Sequence, residues 1–174
     1  MYISANVPTG ASGVQIVVYN TSGKKVAAKT GYSSATFSLK KNYGYKYRMR
    51  AYYTNTEQNK TYYGKWSAYK YFAAPTVTGK ATSATKGFTL TLKKGTGLKG
   101  YIVYVSKSRD SGYKKTTVIR PTAKSVTTRI RKIGSASLKG KTTYYVKIIP
   151  MVKKGSSYVK SQITNIGSIY VYKN

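Results

Sequence analysis

The chain has 174 residues, and its 32 Lys and Arg face only two acids, Glu57 and Asp110, for a net charge of +30. Two carboxylates cannot neutralise that many cations, so most of them point at water or at an external anion. Cys and His are absent, which excludes disulfides, thiol metal sites, Cys nucleophiles and the commonest general acid–base side chain.

Residues 2–8 read as a short strand, with Ile3, Ala5 and Val7 alternating against Tyr2, Ser4 and Asn6. A Gly- and Ser-rich turn leads to Val14–Tyr19, where Val14, Ile16 and Val18 share a face. Ser22-Gly23 marks a turn into a strand over 26–30. The next strand covers 32–39 with Phe37 and Leu39 inward, then an alternating strand covers 43–53. The last strand of this half runs from Tyr62 to Phe72 with Trp66 inside it. Ala73, Ala74 and Pro75 form a joint, because Pro stops a ladder and extends the residue before it. Beyond it, strands are expected over 76–83, 88–92, 101–106, 113–120, 125–133, 144–152 and 158–162, with an apolar tail over 166–172. No segment carries a helical period, and no run of 18 apolar residues offers a membrane-spanning segment. The N-terminus lacks the basic and apolar regions of a signal peptide.

A repeat organises these elements. Leu39 stands six residues before Tyr45, and Leu138 stands six before Tyr144. Each Tyr opens an alternating run: Tyr45, Tyr47, Met49 and Ala51 in one, Tyr144, Val146, Ile148 and Pro150 in the other. Tyr101, Val103 and Val105 take the places of Val14, Ile16 and Val18. Self-similarity at this scale outranks the length prior, so two domains are expected, 1–73 and 74–174. Strands every 8–15 residues separated by Gly, Ser and Lys turns predict an all-β chain of two antiparallel sandwiches.

The Leu–Tyr step resembles the tyrosine corner of fibronectin type III domains. Tyr63-Gly64-Lys65-Trp66-Ser67 resembles the last-strand motif of the Lys- and Tyr-rich fibronectin type III repeats of secreted Gram-positive surface proteins. The resemblance implies two fibronectin type III or immunoglobulin-like sandwiches in tandem, located outside the cell or on its surface. It makes Leu39, Tyr45, Leu138 and Tyr144 structural corner residues. Two departures stand out. The first half begins at what should be the second strand, so it lacks a first edge strand. In the second half, Gly134–Ser137 interrupt the approach to Leu138, and a distorted corner is expected there.

Catalysis has little to work with: the two carboxylates fall in separate predicted turns, so no catalytic residue, cofactor or metal ligand is named. The candidate polyanion-binding residues are Lys40, Lys41, Arg48, Arg50, Arg129, Arg131 and Lys132. Parity puts Arg48 with Arg50, and Arg129 with Arg131, on one face of their strands, and a guanidinium grips phosphate with two prongs. Trp66, Tyr63 and Tyr69 are candidates for stacking on a sugar ring. The expected function is a spacer or adhesion module whose basic faces meet an anionic polymer: teichoic acid, acidic glycan or non-specifically bound nucleic acid. One alternative is a filament or surface-layer subunit that self-associates through edge strands, since an open edge invites strand addition. Another is a carbohydrate-binding module.

Overall fold

The period-two alternation becomes antiparallel β-structure throughout, and the described residues hold no helix. The computed structural model describes residues 1–81, 87–162 and 165–172. The chain divides into two compact units, Met1–Lys40 with Tyr45–Tyr71 and Lys41–Gly44 with Phe72–Asn174.

The first unit is built from β1 (Tyr2–Ser4), β2 (Gly13–Asn20), β3 (Lys25–Gly31), β4 (Ser34–Thr36), β5 (Gly44–Asn55, all but its first residue), β6 (Lys60–Tyr63) and the first two residues of β7 (Lys70–Ala73). One sheet pairs β1 with β4; the other runs β3-β2-β5-β6, with β7 also on β5. Ile3, Val14, Ile16, Val18, Phe37, Tyr45 and Tyr47 are buried in this unit.

The second unit follows with β8 (Val77–Ala81), β9 (Phe88–Lys93), β10 (Leu98–Ser106), β11 (Lys114–Ile119) and β12 (Ser125–Ile130). It continues through β13 (Lys132–Ile133), β14 (Ala136–Ser137), β15 (Thr142–Lys154), β16 (Ser157–Lys160) and β17 (Asn165–Val171). Its sheets run β12-β9-β8 and β11-β10-β15-β16, with β17 also on β15. Phe88, Leu90, Leu92, Tyr101, Val103, Val105, Tyr144, Val146 and Ile148 meet in one core. The predicted part of the first edge strand beyond Ala81 lies outside the described residues.

The two units repeat one fibronectin type III-like sandwich plan. Ile16 pairs with Met49 and Val18 with Tyr47; Val103 pairs with Ile148 and Val105 with Val146 at the matching places. Each corner Tyr bonds back five residues. Tyr45 Oη donates to the Lys40 carbonyl at 3.3 Å. Tyr144 Oη accepts from Lys139 N at 2.7 Å and donates to its carbonyl at 3.3 Å. The smaller sheet has three strands in the second unit and two in the first, where β1 takes the place of β9.

Three expectations change. The strand predicted over 62–72 breaks after Tyr63. Gly64 N donates to Ala51 O at 3.0 Å and Ser67 N to Met49 O at 2.8 Å, so three residues here span two on β5. That surplus residue is a bulge, which no extended strand accommodates. The strand predicted over 125–133 ends at Ile130, and β13 and β14 form a small hairpin with Gly134 at φ 61° in its turn. The expected distortion of the second corner is absent. The hairpin loops out of the chain path, and Leu138 N closes its neck on Arg131 O at 2.8 Å, leaving Leu138 2% exposed.

Candidate functional site: two cationic surfaces

In the first unit, parity sends Lys46, Arg48 and Arg50 to the outer face of β5, spaced about 7 Å apart along the strand. The bulged return carries Tyr63, Trp66 and Tyr69 at every third residue. Because three of its residues span two of β5, a ring falls beside each gap between cations. Arg50 Cζ lies 3.9 Å from the Tyr63 centroid and 4.4 Å from that of Trp66. Arg48 Cζ lies 4.5 Å from Trp66, 5.3 Å from Tyr69 and 5.5 Å from Tyr19. Lys46 Nζ stands 4.5 Å from Tyr69. The result is an alternating ladder of ring and cation.

Hydrogen bonds fix its rungs. Arg50 Nε donates to Gln15 Oε1 at 2.8 Å, and Arg48 Nη2 donates to Tyr19 Oη at 3.2 Å. Arg48 Nε is buried with no acceptor among the described residues, so ring faces are its surroundings. Val17 pairs with Arg48 on this outer face and is only 5% exposed, which shows how fully the ladder covers the sheet. Like charges two residues apart repel; the negative ring faces between them offset that repulsion. A sugar stacking on Trp66 would have to displace a guanidinium.

In the second unit, Arg129, Arg131 and Lys132 line one cleft of about 400 Å³ with Thr116, Thr117 and Thr128. It opens between the edge strands β11 and β12. A neighbouring cleft of about 380 Å³ is lined by Lys107, Lys114 and Lys139, with Ile133, Ala136 and Tyr144. Lys40 and Lys41 are exposed in the corner loop before β5.

The structure thus brings Arg48, Arg50, Trp66, Tyr63 and Tyr69 into one assembly, and Arg129, Arg131 and Lys132 into another. Sequence reasoning missed Tyr19 and Gln15 in the ladder, and the threonines and Lys107 of the clefts; parity sets Lys46 beside Arg48 and Arg50, and in sequence Lys114 and Lys139 read only as scattered basic groups. The ladder had a signal: cations at period two facing rings at period three. Glu57 and Asp110 are both exposed, and no three of His, Cys, Asp and Glu gather among the described residues. Among the described residues no helix is long and apolar enough to cross a membrane.

No family model matches the chain, and no curated protein matches it. Among solved structures it is similar to the selenomethionine-substituted chicken interferon gamma receptor alpha chain, at 12% identity and TM-score 0.39, covering 99% of this chain and 92% of that one. It is also similar to the FN1–FN3 domains of chicken CNTN1, at 14% identity and TM-score 0.38, covering 92% of this chain and 56% of that one. The sandwich plan stands on the strand pairing described above, independently of these likenesses.

Proposed function

We propose that the chain is a non-catalytic extracellular module of a secreted or surface-attached bacterial protein. Its two fibronectin type III-like sandwiches serve as a spacer or adhesion unit, and its basic faces rest on an anionic wall polymer such as teichoic acid or an acidic glycan. One observation carries this reading: 32 cations against two acids, with no His in the chain. Binding to a polyanion releases its counterions, so affinity falls as salt rises, by a log–log slope of about 0.7 to 0.9 per contacting cation. Purified teichoic acid titrated between about 50 and 500 mM salt is the test. A flat response removes the electrostatic contact.

A second reading, self-assembly by strand addition, is favoured by one feature. In the second unit β8 covers the outer edge of β9, while in the first unit β1 pairs only with β4 among the described residues. Its Tyr2 and Ser4 backbone groups face outward by parity, ready for an added strand. Light scattering at rising concentration decides it: a strictly monomeric mass rules the reading out.

A further inference from the structure

The β13–β14 hairpin is one of the features that set the second unit apart from the first, and it stands beside two cationic clefts. Lys132 and Gly134 line the first cleft; Ile133 and Ala136, paired across the hairpin, line the second. The clefts adjoin. Lys114 lines the second, and its Cδ lies 3.9 Å from where a Cβ on Gly134 would sit. Each cleft has three cations and no carboxylate among its lining residues; Asp110 is exposed in the turn that follows Lys107.

We propose that these two clefts form one site for a phosphodiester polymer with short aliphatic spacers, laid along the hairpin with successive phosphates in each cleft. The proposal rests on the polyanion reading above and specifies where and what. Arg131 offers a forked donor that matches phosphate oxygens, Arg129 adds positive charge in the same cleft, and Thr117 lines it with a hydroxyl-bearing side chain. Ile133 and Ala136 offer an apolar strip for carbon spacers between charges. Single-stranded nucleic acid is bound on exposed rings. The one ring lining these clefts belongs to Tyr144, which is 0% exposed, so base stacking has no platform. Two adjoining cationic clefts suit a repeating anion better than a lone one.

The test uses the full chain at about 50 mM salt, where ionic contacts are strong. Three probes are titrated separately: a synthetic glycerol phosphate hexamer, an oligo(dT) octamer and inorganic phosphate. Amide shifts in the native protein map the site without any substitution. The hexamer is expected to move Thr116, Thr117, Arg131, Lys132, Gly134 and Lys139. The triple variant Arg129→Gln, Arg131→Gln, Lys132→Gln should weaken hexamer binding about tenfold or more, since three phosphate contacts go. The charge-matched triple Lys24→Gln, Lys25→Gln, Lys29→Gln in the first unit should weaken it less than about threefold, through net charge alone. Equal losses in the two triples, shifts spread over both units, or tighter binding of oligo(dT) or inorganic phosphate overturn the site and leave the general polyanion reading standing. No binding of any probe or of teichoic acid by the native chain overturns both.

Discussion

Replacing Arg50 with Met tests whether the ladder holds the first unit together. Met keeps much of the stem's bulk and removes the guanidinium. Lost are two ring contacts, at 3.9 and 4.4 Å, each contributing about 0.5–1 kcal/mol when partly exposed. The 2.8 Å bond to Gln15 goes too, at about 1 kcal/mol. Against this, repulsion from Arg48 about 7 Å away is relieved, by roughly 0.6 kcal/mol at the dielectric of water and about 2 kcal/mol at an effective value of 20. The net expectation at low salt is a loss between about 0 and 2.4 kcal/mol, or a fall in Tm of up to roughly 10–20 °C for a unit of this size. Trp66, the single Trp, lies in the first unit, so its fluorescence during thermal or urea unfolding reports that unit. Salt separates the opposing effects. At about 1 M the Debye length shrinks to about 3 Å, the repulsion fades, and the cost of Arg50→Met should grow toward about 2–3 kcal/mol. A substitution that is neutral or stabilising at about 1 M salt, or a cost that shrinks with salt, would refute the cation–ring account and leave only packing of aliphatic stems.

Other expectations concern the corners and the core. Tyr144→Phe should destabilise the second unit by about 1–3 kcal/mol, because Lys139 N loses a partly buried acceptor. Tyr45→Phe, losing one 3.3 Å bond, should cost less, about 0.5–1 kcal/mol; amide exchange in each unit checks the order, and the reverse order contradicts it. Tyr101 is fully buried, donates to Lys93 O at 2.7 Å, and burial pushes its phenol up to about 12. An unfolded Tyr ionises near pH 10, so its contribution is fully present below pH 10. It is lost as pH rises through 10 to 12, by on the order of 2 kcal/mol. The stability difference between the native chain and Tyr101→Phe should be flat below pH 10 and shift against the native chain above it; parallel curves to pH 12 contradict the assignment.

Much of the plan was legible in the residues alone. Alternation marked nearly every strand, and the equivalence of Val14, Ile16 and Val18 with Tyr101, Val103 and Val105 is repeated in their cross-strand partners. Tyr45, Tyr47, Tyr101 and Tyr144 are all buried, as their parity predicted. These features are local: a period of two decides which side chains share a face, whatever the partner strand. The Leu–Tyr step is nearly as local, since the phenol reaches back only five residues.

The ladder and the clefts arise differently. A bulge exists only relative to the strand it faces, so the placing of Tyr63, Trp66 and Tyr69 between Lys46, Arg48 and Arg50 depends on how Gly64 and Ser67 pair with Ala51 and Met49. Likewise, Gly134–Ser137 read as an interruption in sequence. Folded, they become a hairpin that closes on Arg131 and brings Lys107, Lys114 and Lys139 beside Arg129 and Lys132. The sequence by itself determined the sandwich pattern and the excess of positive charge, because alternation and composition need no partner. Only the tertiary structure decided which cations are stacked on rings and which line a cleft, because register across strands distant in sequence sets those neighbours.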